Sequence, residues 1–392
     1  MDAVWTGRRQ SLEARFSSTL RILYLDQIKA LMVGVLILSD AWVGMIVFSP
    51  QSSLPSPSSQ WLPSLSNDLW PANLCNYFVA AMLCLVSGYF LPRSVHRQGV
   101  KCFLMRRVMR LGLPCLAAGL LFHNHDLVSR SWPSSQGLLF ARNWHSLIPS
   151  SFGFEWFLLV LLSLNILYCC WISWHGTRFA IDTRVPIPGW KSWFGSAAAL
   201  AIVQVLVVAT GDYWTIFKGR SLDAYWSQIP YILTCTFCFV VGCKAASHRW
   251  FDHLDARSVL PWFCVSLGLV ALLTPLGFWV VNDPQNHQYS SQFFLLCHLV
   301  RPFIALGLMS ALLLWMQRYE FLGGTWLSSV GRDALGASLF HVPVLVFLLS
   351  AASFIPHSSS LLTWLCVSLL AVVISFSLSH ELRRIPAVST FL

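Results

Sequence analysis

Residues 23–48 read LYLDQIKALMVGVLILSDAWVGMIVF, an apolar run that carries three acidic or basic side chains, Asp26, Lys29 and Asp40. A helix of about 20 apolar residues crosses a hydrocarbon core of ~30 Å, so this stretch is long enough to span a bilayer. Comparable runs follow at 74–91, 109–124, 153–174, 193–210, 228–246, 259–281, 291–316, 330–351 and 360–379. Ten such runs predict an all-α polytopic membrane protein with about ten transmembrane helices. The composition of the 392 residues agrees, with 56% hydrophobic and only 11% charged residues. Soluble domains carry roughly 25% charged residues, so a water-facing globule is excluded. The same apolar fraction excludes a disordered chain.

Charge placement sets the expected orientation. The outer loops hold Arg130, Arg142, Lys218 and Arg220, and Lys29 and Arg301 lie within spans. The other Lys and Arg collect on inner segments, which by the positive-inside rule puts both termini in the cytoplasm. That asymmetry accounts for the net charge of +10 without a nucleic-acid partner, since no separate basic domain carries it. The 19 Trp suit the two membrane interfaces.

The chain divides into a cytoplasmic segment 1–21, a membrane domain 22–380 and a cytoplasmic tail 381–392. The polar, basic start followed directly by the first span reads as an uncleaved signal anchor. The Ser- and Pro-rich loop 49–73 suggests an irregular connection over the outer face, and a second outer loop, 125–152, contains Trp132, Trp144 and His145. The 12 Cys lie in or beside apolar spans, and the CxxC of Cys235 and Cys238 has no second pair, so packing thiols are favoured over a metal or disulfide site. His123-Asn124-His125-Asp126 matches no helical two-His site, and no metal is indicated.

Ionisable groups inside a bilayer cost roughly 2.5–3.5 kcal/mol each on insertion scales, so each needs a reason. Asp40 follows Lys29 by about three helical turns, on the same face and about 16 Å further along. With Lys29 at the inner boundary, Asp40 reaches mid-membrane or a little beyond. It reads either as a chemical group or as a structural carboxylate paired to a base on another helix. Glu155 opens the fourth span, where the helix dipole alone would favour it. Arg301 lies deep in LLCHLVRPF with His298 three residues before it, and calls for an anion, Asp40 or Glu155 being the natural candidates. Arg106, Arg107 and Arg110 mark the inner start of the third span. Arg107 and Arg110 are neighbours on one face and suit phosphate, although positive-inside anchoring explains them as well. His341 is a lone His in an apolar helix, and Ser87-Gly88 reads as a close-packing point.

In order and spacing, five segments resemble the integral-membrane acyltransferase-3 family, particularly the branch similar to bacterial glucan-modifying proteins. They are YLDQIKALMVGVLILSDA (24–41), LVSGYFLPRSVHRQGVKCFLMRRVMRLGLP (85–114), EWFLLVLL (155–162), VGRDALGASLFHVPVL (330–345) and, more weakly, IPYILTCTFCFVVGCKAASHRWF (229–251). The resemblance implies a ten-helix membrane fold that moves an acyl group, of acetyl or succinyl class, from an acyl-coenzyme A to a hydroxyl of a sugar or glycan, and it suggests the plasma membrane. It implies no bound cofactor, the acyl-coenzyme A being a co-substrate. By position, Arg107 and Arg110 match the arginine pair that engages the donor's phosphates. Asp26 and Lys29 stand where the family has an Asp and an Arg, and His341 matches a histidine of the penultimate span.

Two positions depart from the pattern. The His that ends the family's first helix is Asp40 here, and the His before Trp156-Phe157 is Glu155. The resemblance therefore assigns the acceptor's proton to Asp40, aided by Glu155 or His298, with Arg301 stabilising negative charge. A carrier of an acylated molecule, with Asp40, Glu155 and Arg301 along an ion path, is a second reading; no inverted repeat supports it. A relative that has lost catalysis through Asp40 is a third. Oligomeric state is not indicated.

Overall fold

The computed structural model describes residues 24–45, 70–116, 157–175, 188–218, 229–248, 250–282, 290–319, 324–352 and 360–385. Among these the backbone is helical and forms no strand. The helices are α1 (Tyr24–Met45), α2 (Trp70–Gln98), α3 (Val100–Arg107), α4 (Phe157–His175), α5 (Trp190–Lys218), α6 (Ile229–His248), α7 (Ala256–Asn282), α8 (Ser290–Arg318), α9 (Gly324–Ala352) and α10 (Ser360–Arg384). Lipid offers no hydrogen-bond partner, so a spanning backbone must satisfy itself within the segment. Among the described residues, nine helices, all but α3, contain a stretch long and apolar enough to cross a membrane.

The expected span at 109–124 is described only to residue 116. There α3 passes into a π-helical turn, Val108–Gly112, and then into one further α-helical turn. The tail expected from residue 381 begins inside α10, which runs on to Arg384.

The faces left exposed are the apolar ones, as a lipid surrounding requires. Only 22% of the α10 span and 17% of the α7 span are buried. Leu361, Leu362, Leu369 and Val373 of α10 and Leu260, Val265 and Leu272 of α7 stand exposed. A helix on a soluble globule turns such side chains inward.

Helix α1 packs on two sides. Tyr24, Leu25, Ile28 and Met32 join a core built with α2, α4, α6 and α8, including Met82, Leu158, Phe239 and Met309. Val33, Ile37 and Ala41 meet Ala334, Ala337 and Leu345 of α9 and Val367 and Ala371 of α10. Lipid tails are as apolar as leucine, so association depends on close fit, and small residues supply it. A Cβ on Gly88 of α2 would overlap the Phe239 carbonyl of α6, and one on Gly242 of α6 would overlap the Leu85 carbonyl of α2. The close-packing point expected at Ser87-Gly88 is therefore real, and its partner is α6. Gly242→Val must separate the two backbones. The expected result is a loss of at least about 1–3 kcal/mol, the usual cost of overpacking, read as lower yield and melting temperature in detergent.

Candidate functional site

At the end of the bundle where α1 begins, a cavity of about 430 Å³ opens between α1, α2, α3, α4, α9 and α10. Ligand pockets run from roughly 300 to 1,000 Å³, so it has room for part of a cofactor-sized molecule. Among the described residues Lys29, Arg106, Arg107, Arg110, Arg332 and Arg383 line it, against a single lining carboxylate, Asp26. Such an excess of one sign draws a polyanion and repels cations.

Local sequence explains how each cation arrives. Lys29 stands one turn from Asp26 on α1, bonds its carboxylate at 2.6 Å and lies 4.5 Å from the centre of the Phe90 ring. Gly99, at φ 77°, turns the chain between α2 and α3 in a conformation that side chains resist. That turn directs Arg106 and Arg107 to the cavity, and the π-helical turn adds Arg110. On α9, Gly331 lets the helix lie against the Asp26 carbonyl, with Arg332 next in sequence. Arg383 comes from α10 and is aimed by Asp333, whose carboxylate accepts from its Nη1 at 3.2 Å and pairs with His380 Nδ1 at 3.0 Å. Ser379 Oγ donates to the Asp333 carbonyl at 2.7 Å and ties the same two helices.

Deeper in, the lining turns apolar with Val33, Leu83 and Leu335, interrupted by Ser87 and Ser338. Among the described residues the buried Ser87 Oγ has no hydrogen-bond partner. It therefore remains able to serve a ligand in the cavity.

Asp40 lies seven residues beyond Val33 on α1, about 10 Å further across the membrane. His341 Nε2 approaches its Oδ2 at 3.0 Å, and Asn76 Nδ2 donates to its Oδ1 at 3.2 Å. The His341 side chain is fully buried, whereas that of Asp40 keeps 17% of its surface. His341 Nδ1 donates to the Ser338 carbonyl at 2.6 Å. Ser338 also lines the cavity, so the imidazole stands one helical turn beyond the cavity's inner wall. Trp364 Nε1 of α10 donates to the Leu38 carbonyl at 3.1 Å, bracing α1 just before Asp40.

Arg301 and His298 occupy a different place. Both are buried on α8, and Arg301 faces the rings of Tyr77 and Tyr231, with centroids at 6.0 and 5.6 Å. Its Nη1 donates to the Tyr231 hydroxyl at 3.5 Å. Around them Gln204 Nε2 donates to Tyr77 Oη at 3.0 Å and to Thr234 Oγ1 at 2.6 Å. The expected pairing of Arg301 with Asp40 is not formed, because consecutive residues of α2 face different helices. Asn76 turns to Asp40 and α1, while Tyr77 turns to Arg301, α5 and α6. The expected alternative partner, Glu155, lies outside the described residues, as do the His123–Asp126 group and the loops around it.

The structure thus brings together three sets of expected residues. Asp26, Lys29, Ser87, Arg107 and Arg110 share the cationic cavity, Asp40 and His341 form a pair beyond it, and His298 stands apart with Arg301. Sequence reasoning passed over Arg332, Arg383 and Asn76. Arg332 and Asp333 were visible in VGRDALG, and Arg383 in HELRR reads as ordinary basic anchoring until α9 and α10 are seen side by side.

Comparison with known proteins gives one result. A family model of the acyltransferase-3 type, described as an acyltransferase domain, matches residues 22–380. No curated protein matches the chain. No solved structure matches it either.

Proposed function

The chain belongs to the acyltransferase-3 family, and from that premise we propose that it moves an acyl group of acetyl or succinyl class from acyl-coenzyme A to a hydroxyl of a sugar or glycan. The observation that carries the donor assignment is the cavity whose described lining has six cationic side chains and one carboxylate. Coenzyme A presents a diphosphate and a 3′-phosphate on a long thiol-bearing arm. Guanidinium groups bind such phosphates bidentately, and Lys29, Arg107 and Arg110 are joined here by Arg106, Arg332 and Arg383. The apolar inner part of the cavity suits the arm, which carries the thioester toward Asp40. On the positive-inside rule the cationic mouth is cytoplasmic, where acyl-coenzyme A is made, and the acceptor comes from the other side. The bilayer in question is then the plasma membrane, a placement that rests on the family resemblance.

Asp40 is the group that takes the acceptor's proton. Its carboxylate is partly exposed, is oriented by Asn76 and His341, and occupies the family's histidine position. Asn76 Oδ1, buried and without a hydrogen-bond partner among the described residues, can receive a hydroxyl of the acceptor. The place of His298 and Arg301, across α2 from Asp40, supports a structural role in the α2–α6–α8 interior rather than direct catalysis.

The test uses purified protein with acetyl- and succinyl-coenzyme A labelled in the acyl group, and a panel of sugar hydroxyls. Label appearing in an ester, with one free thiol released per ester formed, supports the reading. Donors left intact, together with uptake of an acylated sugar into proteoliposomes without any thioester, would replace it with the carrier reading.

A further inference from the structure

A second cavity, of about 250 Å³, lies between α5, α6, α7 and α8, with Leu85 of α2 in its wall. It shares no described lining residue with the cationic cavity, which Leu83 and Ser87 of α2 face instead. Along α8 its lining runs from Leu306 to Leu313, about 10 Å of rise, or roughly a third of a ~30 Å hydrocarbon core. Phe237, Val241, Leu306 and Met309 make the depth apolar, and Trp190, Trp193, Trp250 and Trp262 gather toward the end where α5 and α7 begin. At that end Gly189, Trp190 and Asp255 are exposed, so the cavity opens there.

Protein interiors leave few gaps larger than a water, and an apolar gap excludes water and takes up apolar molecules. Trp rings collect at the level of lipid head groups, which sets the mouth at a membrane interface, within reach of the chains of the adjoining leaflet. Charge at the mouth selects the head group. Among the described residues Asp255 is the only charged side chain in the lining. Lys191 Nζ stands beside it in the fold, 5.7 Å from the centre of the Trp190 ring, which itself lines the cavity. A carboxylate and an ammonium at one mouth complement a head group that carries an amine and a phosphate. The Trp faces attract a cation as well, so an amine gains twice, whereas an anionic head without an amine meets repulsion from Asp255.

We propose that this cavity binds a zwitterionic phospholipid of the adjoining leaflet, with part of one acyl chain inserted along α8, the amine at Asp255 and the phosphate at Lys191. A volume of about 250 Å³ admits part of a chain and leaves the rest of the lipid in the bilayer. On the positive-inside rule that leaflet is the cytoplasmic one. The lipid site goes beyond the acyltransferase reading and does not depend on it.

The experiment measures lipid binding to the full chain in detergent by native mass spectrometry, with the melting temperature alongside. The probes are phosphatidylethanolamine, phosphatidylglycerol, which has the phosphate but no amine, and glycerophosphoethanolamine, which has the head group without chains. The wild type is expected to hold one phosphatidylethanolamine about tenfold more tightly than phosphatidylglycerol, the usual worth of one hydrogen bond to a charged group, and to hold the chain-free head group far more weakly than either. Asp255→Asn keeps the backbone carbonyl that accepts from the Ser258 and Val259 N–H groups at 3.1 Å, so α7 starts as before. This variant is expected to erase the preference between the two lipids, whereas Lys191→Gln weakens both alike. Leu306→Trp fills the depth of the cavity and is expected to lower binding of both lipids by about tenfold or more, because the chain loses its place. If Leu306→Trp does not fold, Asp255→Asn decides. Equal binding of the two lipids by the wild type, a preference that survives in Asp255→Asn, or undiminished binding by folded Leu306→Trp would overturn the proposal.

Discussion

Asp40→Asn is expected to lower acyl transfer by about 10²–10⁴-fold, the usual contribution of a positioned general base, while the protein folds and binds the proposed donor as before. The exchange keeps size and most of the hydrogen bonding. An Asn side-chain oxygen at position 40 still accepts from Asn76, and its amide donates to a neutral His341 Nε2, so α1, α2 and α9 remain joined. What disappears is the ability to accept a proton. Donor affinity is spared because the cationic side chains lie on the far side of Val33, two helical turns away. Turnover is measured on monodisperse protein beside donor binding. Normal turnover by this variant would remove Asp40 from the chemistry.

The second large effect belongs to the cavity mouth. Arg107→Ala combined with Arg110→Ala is expected to raise the KM of the proposed donor by about 10²-fold or more and to leave kcat nearly unchanged. A hydrogen bond to a charged group contributes about 1.5–3 kcal/mol, so each lost phosphate contact costs roughly a factor of ten or more. Removal of two like charges from a crowded cavity relieves repulsion, so folding does not suffer. Added salt is expected to weaken donor binding in the wild type and to do so less in the variant, which has fewer charges to screen. An unchanged donor KM would show that the phosphates bind elsewhere.

Much of this was legible in the sequence for a plain physical reason. Spans of about 20 apolar residues have no alternative in lipid, so helix count and order follow from hydropathy. Single polar residues within such spans also announce themselves, as Asp40, Arg301 and His341 did. Their partners do not, because partnership depends on how helices rotate about their axes. Arg301 and Asp40 attract each other on paper, yet Asn76 and Tyr77, adjacent in sequence, direct them to opposite sides of α2. The same rotation hid Arg332 and Arg383, which read as surface anchors until Gly331 and Asp333 are seen to set the α9 contacts with α1 and α10. The His341–Asp40 pair joins residues about 300 positions apart, beyond the reach of any local pattern.

Donor binding and donor consumption, measured on the same preparations of wild type, Asp40→Asn and Arg107→Ala with acetyl-coenzyme A, test the central claim most directly. The account predicts that wild type and Asp40→Asn bind the donor equally, that Arg107→Ala binds it at least tenfold more weakly, and that only Asp40→Asn loses consumption at saturating donor. Equal binding by all three proteins, or undiminished consumption by Asp40→Asn, would contradict it.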